Sequence, residues 1–435
     1  MTELNISTTP IPGLLVVDLP VHGDQRGWFK ENWQRAKMTA LGLPEFRPVQ
    51  QNISYSGDVG TTRGIHAEPW NKLVSVAVGR VFGAWVDLRD NATFGTLVTV
   101  ELDPGRAVFV PRGVGNAYQT LEASTVYSYL VDDHWSPDTL YSSCDLADET
   151  LSISWPIALG QATISDKDRS NPRLEDLTPV PPPGTLVLGA NGQAGRALAA
   201  LMPQAAFWDR ETFDIANTLG FDRVDWSTFD TIVNAAAYTD VDGAETAEGR
   251  REAWRVNAHG VVNLARTALR HDLTLVHIST DYVFDGAAEE HGTDELFAPL
   301  GVYGQSKAAG DAAVQVVPKH YLVRTSWVVG DGHNFIAEMQ RVAEAGVDPS
   351  VVADQVGRLT YASDLAAGIV DLLRSGQPPG TYNITSGGPP KSWYQIACEA
   401  FAAAGHDPAR VRPVSTEEYT AGKALAPRPR HSTLI

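Results

Sequence analysis

Residues 178–195 read Thr-Pro-Val-Pro-Pro-Pro-Gly-Thr-Leu-Val-Leu-Gly-Ala-Asn-Gly-Gln-Ala-Gly, and this stretch divides the chain. Each Pro lacks an N–H and restricts its neighbour, so the first half can hold neither a helix nor a central strand and reads as a stiff extended linker over 179–184. One domain, 1–178, ends there. The second half is a short apolar run, Leu186–Leu188, that breaks into Gly189, Gly192 and Gly195 and then into the helical run Arg196-Ala-Leu-Ala-Ala-Leu201. Strand, tight turn and helix N-terminus in that order can cradle a pyrophosphate: bare backbone lets phosphates approach, and the helix dipole favours their charge. The GxxGxxG spacing alone fits a flexible turn equally well; the strand before it and the motifs after it favour the nucleotide. An α/β domain is expected over 185–435.

A chain of 435 residues is too long for one ordinary core and suits two domains. Its 43% hydrophobic and 20% charged residues are those of a soluble globular protein. The net charge of −18 argues against nucleic acid or an anionic membrane as partner, and leaves room for an anionic small molecule only where Arg and Lys gather. The opening Met-Thr-Glu-Leu-Asn-Ile-Ser lacks a basic-then-apolar leader pattern, and no run of about 18 apolar residues occurs, so a cytoplasmic protein is expected. Cys144 and Cys398 fall one in each domain, which indicates neither a disulfide framework nor a thiolate metal site.

The first domain reads as β. From Leu73 to Leu88 the sequence Leu-Val-Ser-Val-Ala-Val-Gly-Arg-Val-Phe-Gly-Ala-Trp-Val-Asp-Leu alternates faces, with Leu73, Ser75 and Ala77 on one side and Val74, Val76 and Val78 on the other. A Gly-Arg break within period two predicts a pair of strands joined by a turn. Val98–Leu102, the turn Asp103-Pro-Gly105 and Ala107–Val110 repeat the pattern, and only about Gln34–Leu41 looks helical. An antiparallel sandwich or barrel follows, with a mouth able to hold a ligand.

His66, Lys72, Tyr129 and Asp168 are the informative residues of that domain. A His beside a carboxylate can abstract a proton, since the carboxylate fixes the tautomer and stabilises the imidazolium. A Lys offers positive charge to a developing enolate oxygen, and a Tyr can return a proton from the opposite face. The set suits proton exchange next to a ketone. The bland alternatives are a satisfied or exposed His and a strand Tyr. The sharper rival is a metal-binding cupin using His66 and Glu68, but no further His stands around Asn116, and no metal is expected.

Thr62-Arg-Gly-Ile-His66, Lys72-Leu-Val, Val86-Asp-Leu-Arg89, Thr93-Phe-Gly95, Val110-Pro-Arg-Gly113 and Ile164-Ser-Asp-Lys-Asp168 resemble the dTDP-4-dehydrorhamnose 3,5-epimerase family, over most of residues 10–178. The resemblance implies a dimeric cupin jelly roll in which His66 is the base oriented by Asp168, Lys72 steadies the enolate, Tyr129 is the acid and Arg63 lies at the diphosphate. It also implies that Arg26, Phe29 and Glu31 hold the nucleotide across a homodimer.

The second domain alternates strands and helices. Leu186–Leu188, Thr231–Asn234, Leu275–Ile278 and Tyr321–Thr325 are short apolar strands separated by amphipathic runs such as Arg251–His271 and Gln305–Val316, which predicts a parallel, doubly wound, Rossmann-like sheet. The motifs His277-Ile-Ser-Thr280-Asp-Tyr-Val-Phe-Asp-Gly286 and Tyr303-Gly-Gln-Ser-Lys307 carry its chemistry. Residues four apart share a helix face, so Lys307 can sit beside Tyr303, lower its phenol pKa and reach a cofactor ribose. Tyr303 can then protonate a carbonyl oxygen as hydride arrives, with Thr280 polarising the same carbonyl. A YxxxK pair on a helix mostly means nothing by itself; the Gly-rich turn and the strand-end Ser-Thr give it weight.

These stretches, with Val233-Asn-Ala-Ala-Ala-Tyr-Thr-Asp-Val-Asp-Gly-Ala-Glu245, Arg324-Thr-Ser-Trp327 and Ala353-Asp-Gln-Val-Gly357, resemble the dTDP-4-dehydrorhamnose reductases, extended short-chain dehydrogenases, across nearly all of 185–435. The resemblance implies Thr280, Tyr303 and Lys307 as the triad and Asp281, Tyr282 and Trp327 near the substrate. It implies a cofactor held by Gly189, Asn191, Gly192, Gln193, Ala194, Asp209, Arg210, Asp214, Ala235 and Ala236 together with Tyr303 and Lys307. The family usually runs past the position of Ile435 by a further helix. Asp209 favours NADH by holding a ribose 2′-OH and Arg210 favours the 2′-phosphate of NADPH; NADPH is expected, with NADH open.

The halves together predict a bifunctional enzyme that epimerises dTDP-4-dehydro-6-deoxy-D-glucose at C3 and C5 and reduces C4 to give dTDP-L-rhamnose. Three alternatives stay open: a reductase whose first domain only binds or dimerises, a metal cupin fused to a non-catalytic regulator, and the same chemistry on a UDP sugar.

Overall fold

The computed structural model describes residues 3–134, 141–332 and 334–435. The chain separates into two compact units, Met1–Pro182 and Pro183–Ile435. The Val180 N–H donates to Leu88 O at 2.7 Å, and Val180 pairs with Arg89 inside the first unit; the first strand of the second unit begins at Gly184.

The first unit is mainly β. One sheet has the strand order Asn5–Thr8, Leu15–Asp18, Arg106–Val110, Lys72–Val78, Thr125–Val131, Gln50–Ser56; the other runs Ser142–Ser143, Thr62–Ala67, Val114–Thr120, Val81–Asp87, Leu97–Leu102. Every pairing within these two sheets is antiparallel. Val74 and Val76 from one sheet and Trp85, Val114 and Tyr118 from the other share a buried core. Leu73 faces away from it, into a cluster with Val17 and Phe109 that Met38 of the helix Arg35–Ala40 covers.

The expected pairing of Lys72–Val78 with Val81–Asp87 is not formed. The two strands lie in opposite sheets, and so do Leu97–Leu102 and Arg106–Val110. Gly79-Arg80 and Asp103-Pro104-Gly105 carry the chain from one layer to the other instead of folding it back on its neighbour. The physical reason is burial: Lys72–Val76 and Gly83–Asp87 are buried without interruption, so each strand needs cover on both faces, and a simple hairpin would leave one face wet.

The second unit is built on a parallel sheet of six strands in the order Ala206–Trp208, Gly184–Leu188, Phe229–Asn234, Thr274–Thr280, His320–Thr325, Gly380–Asn383. Val261, Leu264 and Val314 belong to one helix-on-sheet cluster, and Leu198, Leu365 and Ile369 to a second. Strand order reverses between Gly184–Leu188 and Phe229–Asn234, which opens a crevice at their C-terminal ends, at Gly189 and Ala235.

Candidate active sites

In the first unit a bulge builds the site. His66 pairs with Asn116 and Arg63 with Tyr118, with a register shift between. The shift occurs at Gly64, whose φ is +128° and where an added Cβ would stand 2.4 Å from that of Ala117, so only Gly fits. His66 Nε2 lies 2.8 Å from Asp168 Oδ1, and Asp168 is buried at the start of the short helix Asp166–Arg169, with its N–H on Ser165 Oγ at 3.1 Å. With Nε2–H given to the carboxylate, Nδ1 is the nitrogen left to take a proton.

The other sheet supplies Lys72 and Tyr129. Lys72 Nζ stands 5.7 Å from the Tyr129 ring centroid. The lysine is buried and forms an ion pair with Glu68, a partner that its sequence position does not announce. Burial draws the Lys72 pKa down and Glu68 opposes it. Burial also raises the Tyr129 phenol, with Glu68 adding to the rise and Arg63 acting against it, so the phenol is kept protonated. Tyr127, stacked on Tyr118 at 4.1 Å, donates to Asn116 Oδ1 at 3.1 Å. Glu68, considered from sequence as a metal ligand beside His66, is thus the counter-charge of Lys72.

Arg26, Phe29 and Glu31 belong elsewhere on this unit. Arg26 pairs with Asp24 at 2.5 Å on the exposed hairpin His22–Phe29, Phe29 is 65% exposed, and Glu31 pairs with Lys37 at 2.5 Å. Ile53 and Tyr55 on the edge strand Gln50–Ser56 are 68% and 63% exposed.

In the second unit the Gly-rich turn sits at the crevice. Gly189 has φ +84°, and a Cβ there would meet Ala236 N at 2.6 Å; one at Gly195 would meet Gly189 O at 2.2 Å. The helix Gln193–Leu201 starts after Gly192 with no side-chain cap, so its first N–H groups are available to an anion. Asn191 donates to Asp209 Oδ2 at 2.9 Å, and Asp209 Oδ1 accepts from the Thr212 N–H and hydroxyl, both at 2.9 Å. Arg210 pairs with Glu252 at 3.0 Å, and Asp214 with Arg255 at 2.9 Å.

Thr280 ends its strand, donates to Asp281 Oδ1 at 2.8 Å and accepts from the Tyr282 N–H at 3.2 Å; its hydroxyl acts to lower the Tyr303 phenol. Tyr282 and Tyr303 meet edge to face at 5.8 Å. Lys307 Nζ donates to Ile278 O at 2.7 Å and faces His277 Nε2 at 3.2 Å. The Tyr303 phenol is pushed up, first by burial and then by Asp281, whereas the sequence reading has Lys307 lowering it; burial has drawn Lys307 itself down to about 8. Asp281 is raised to about 6 by burial.

Trp327 adopts φ +46°, a strained backbone for a bulky residue, and stacks on Trp393 at 3.9 Å. Trp393, Phe335, Tyr419, Lys423, Arg428 and Asp242 are among the residues lining a cleft of about 670 Å³. Sequence reasoning passed over Asp242 and Arg428, which pair at 2.8 Å, although Asp242 lies inside the quoted stretch Val233–Glu245. Among the described residues no helix is long and apolar enough to cross a membrane.

Residues 8–176 match the family described as dTDP-4-dehydrorhamnose 3,5-epimerase, and residues 184–435 the family described as RmlD substrate binding domain. A protein RmlC homolog of Streptococcus pyogenes is 47% identical over 179 residues, covering 40% of this chain and 90% of its own. A dTDP-4-dehydrorhamnose reductase of Aggregatibacter actinomycetemcomitans is 37% identical over 268 residues, covering 57% of this chain and 89% of its own. The crystal structure of a Bacillus anthracis dTDP-4-dehydrorhamnose reductase in complex with NADP is similar at TM-score 0.54 and 36% identity, over 58% of this chain and 90% of that one. The chain belongs, through its second unit, to the RmlD substrate binding domain family and, through residues 8–176, to the dTDP-4-dehydrorhamnose 3,5-epimerase family.

Proposed function

We propose that this chain is a bifunctional enzyme that converts dTDP-4-dehydro-6-deoxy-D-glucose to dTDP-L-rhamnose, the first unit epimerising C3 and C5 and the second reducing C4 with NADPH. The observation that carries it is the His66–Asp168 pair at 2.8 Å, in a unit that also sets the buried Lys72 beside the half-buried Tyr129. We read the first unit as a cupin-type jelly roll and the second as a Rossmann-like doubly wound fold; crossings between layers support the one, and the parallel sheet with its switch point at Gly189 the other.

In the first site His66 Nδ1 takes the proton from the carbon next to the ketone, and Asp168 stabilises the imidazolium. Lys72 faces the enolate oxygen, its charge maintained in the buried site by Glu68. Tyr129, whose phenol stays protonated, returns a proton on the opposite face, and Arg63 meets the diphosphate.

The second site fits NADPH. The uncapped helix start at Gln193 and the Gly189–Gly192 turn receive the pyrophosphate with Asn191 and Ala194, while Ala235 and Ala236 line the crevice. Arg210, exposed beside Asp209, is in reach of a ribose 2′-phosphate, and Asp214 with Arg255 braces the same edge. NADPH supplies the hydride. Tyr303 gives its phenol proton to the carbonyl oxygen, Thr280 orients that oxygen, and Asp281, Tyr282 and Trp327 shape the sugar's surroundings beside the cleft at Trp393.

Incubation with dTDP-4-dehydro-6-deoxy-D-glucose and NADPH in deuterated water tests the proposal. Product dTDP-L-rhamnose carrying deuterium at C3 and C5 is expected by NMR. NADPH loss that begins only when a separate epimerase is added would make the first unit a scaffold, and the UDP-sugar analogue run in parallel tests the base.

We further propose a homodimer through the first unit, in which the exposed hairpin with Arg26 and Phe29 completes the partner's site. The exposed Phe29, Ile53 and Tyr55 support it. Mixing inactive Arg26→Ala and His66→Asn chains is expected to restore C3/C5 exchange, because a hybrid contains one site with both residues intact. No recovery after subunit exchange, or a monomer in sedimentation, rejects the arrangement.

A further inference from the structure

The helix that carries Tyr303 and Lys307, Val302–Val314, begins without a side-chain cap of its own. Gly301 holds the cap position in an extended backbone, φ −112° and ψ 173°, and has no side chain to offer. The first N–H groups of a helix need partners from outside it. Val302 N–H, one residue before Tyr303, finds its partner 57 positions earlier in the chain, donating to Glu245 Oε1 at 2.8 Å. A carboxylate there also meets the positive end of the helix dipole. Gly301 and Glu245 suit each other: a Cβ at 301 would stand 2.8 Å from Glu245 Oε1, so an ordinary Ser or Asp cap would push the carboxylate off the Val302 N–H.

Glu245 comes from a turn that is itself fixed. Gly243 N–H donates to Asp240 Oδ1 at 2.9 Å, Ala244 N–H to Asp240 O at 3.0 Å and Thr246 Oγ1 to Gly243 O at 2.7 Å. Within the same turn Asp242 accepts from Ala426 N–H at 2.9 Å and pairs with Arg428. Ala244 is wholly buried in one cluster with Val302, and Tyr303 packs against that cluster. Glu245, Gly301, Tyr282 and Tyr303 border one narrow crevice.

We propose that Glu245 is a positioning residue of the reductase: by tying the turn Gly243–Glu245 to the first N–H of the helix, it fixes where Tyr303 stands relative to Thr280. The proposal rests on the reading of Tyr303 as proton donor. Apolar contact between Ala244 and Val302 is non-directional, so it seats the helix on the turn without setting its slide or rotation. A hydrogen bond is directional and sets both. Proton transfer needs heavy atoms within about 2.6–3.2 Å, and a misplacement of about 1 Å at a reacting group costs about 10²-fold. Tyr303 is the second residue from the tied end, where a released helix shifts most.

The test compares the parent with Glu245→Gln, with Glu245→Ala, and with Glu245→Ala joined to Gly301→Ser. Gln keeps an oxygen for the Val302 N–H and Ala removes it. With the carboxylate gone, a Cβ at 301 has Pro427 Cδ at 3.4 Å as its nearest neighbour, and Ser gives the helix a cap of its own without restoring the tie to the turn. Single-turnover NADPH oxidation, with substrate already epimerised by another enzyme, is expected within about twofold of the parent in Glu245→Gln and about 10- to 10²-fold slower in Glu245→Ala, at unchanged affinity for NADPH. The double variant should regain the melting temperature but not the rate. A rate that returns with the melting temperature makes Glu245 an ordinary cap and overturns the proposal; so does a parental rate in Glu245→Ala, or a Gln variant as slow as the Ala variant. 19F NMR of the fluorotyrosine-labelled full chain, with the Tyr303 signal identified by its absence in Tyr303→Phe, reads the position without turnover. That signal should move in Glu245→Ala and in the double variant and stay in Glu245→Gln; a signal that stays in all of them overturns the tie. A parent enzyme that oxidises no NADPH, with the 19F signal still following Glu245, overturns the reductase reading and not the tie.

Discussion

A His66→Asn enzyme is expected to exchange the C3 and C5 protons of the 4-keto sugar nucleotide with deuterated water about 10²- to 10⁴-fold more slowly than the parent, the range set by loss of a positioned general base. Asn is too short to reach Asp168 in the place of Nε2–H, but the Gly64 N–H still lies 3.5 Å from Asp168 Oδ2, so the buried carboxylate keeps a donor. What disappears is the basic nitrogen. The helix that carries Asp168 and the Gly64 bulge that turns His66 toward it owe nothing to that basicity, so the melting temperature should change little. Reduction of substrate already epimerised by another enzyme should proceed at the parental rate, because the second unit contains its own acid. Exchange at the parental rate in the variant, followed by NMR loss of the C3 and C5 proton signals, would remove His66 from the mechanism.

Tyr303→Phe should have the complementary phenotype. Tyr303 is half-buried and its phenol is held protonated by desolvation and by Asp281, so we read it as the proton donor built into the crevice. Phe keeps the ring and its edge-to-face contact with Tyr282 at 5.8 Å but has no proton to give. NADPH oxidation is expected to fall about 10²- to 10⁴-fold while C3/C5 exchange continues unimpaired. The 4-keto epimer would then accumulate, visible by NMR. A variant that still consumed NADPH at the parental rate would move the proton donor elsewhere, with Asp281, raised to about 6, the first group to examine.

Much of both sites could be read from the chain because their motifs are local. Tyr303 and Lys307 share a helix face, and Gly189, Gly192 and Gly195 crowd one turn; periodicity and the properties of glycine place them. His66 and Asp168 are 102 positions apart, and no spacing rule joins them; their association came from family resemblance. Glu68 was read for its ligand atoms and not for its neighbour, since an i, i+4 ion pair is a helical expectation and here it spans the approach to a strand. The stacked Trp327 and Trp393 depend on a left-handed backbone at Trp327 that a bulky residue does not signal. The hairpins expected at Gly79-Arg80 and Asp103–Gly105 failed for a related reason: a turn sequence states that the chain bends, but not whether it returns to the same layer.

That last feature governs how the first unit can come into being on the ribosome. Strand Lys72–Val78 lies between Arg106–Val110 and Thr125–Val131, Gln50–Ser56 waits for Thr125–Val131, and Thr62–Ala67 waits for Val114–Thr120. None of these three strands has its neighbour in sequence as its neighbour in space, so loop-closure entropy must be met before any of them gains a lasting partner. Until residue 131 has left the exit tunnel, the apolar run from Leu73 to Leu88 has no completed sheet to enter. The nascent chain therefore presents its stickiest segment for most of the time it takes to make this unit, the interval in which chaperones bind and neighbouring polysomes aggregate.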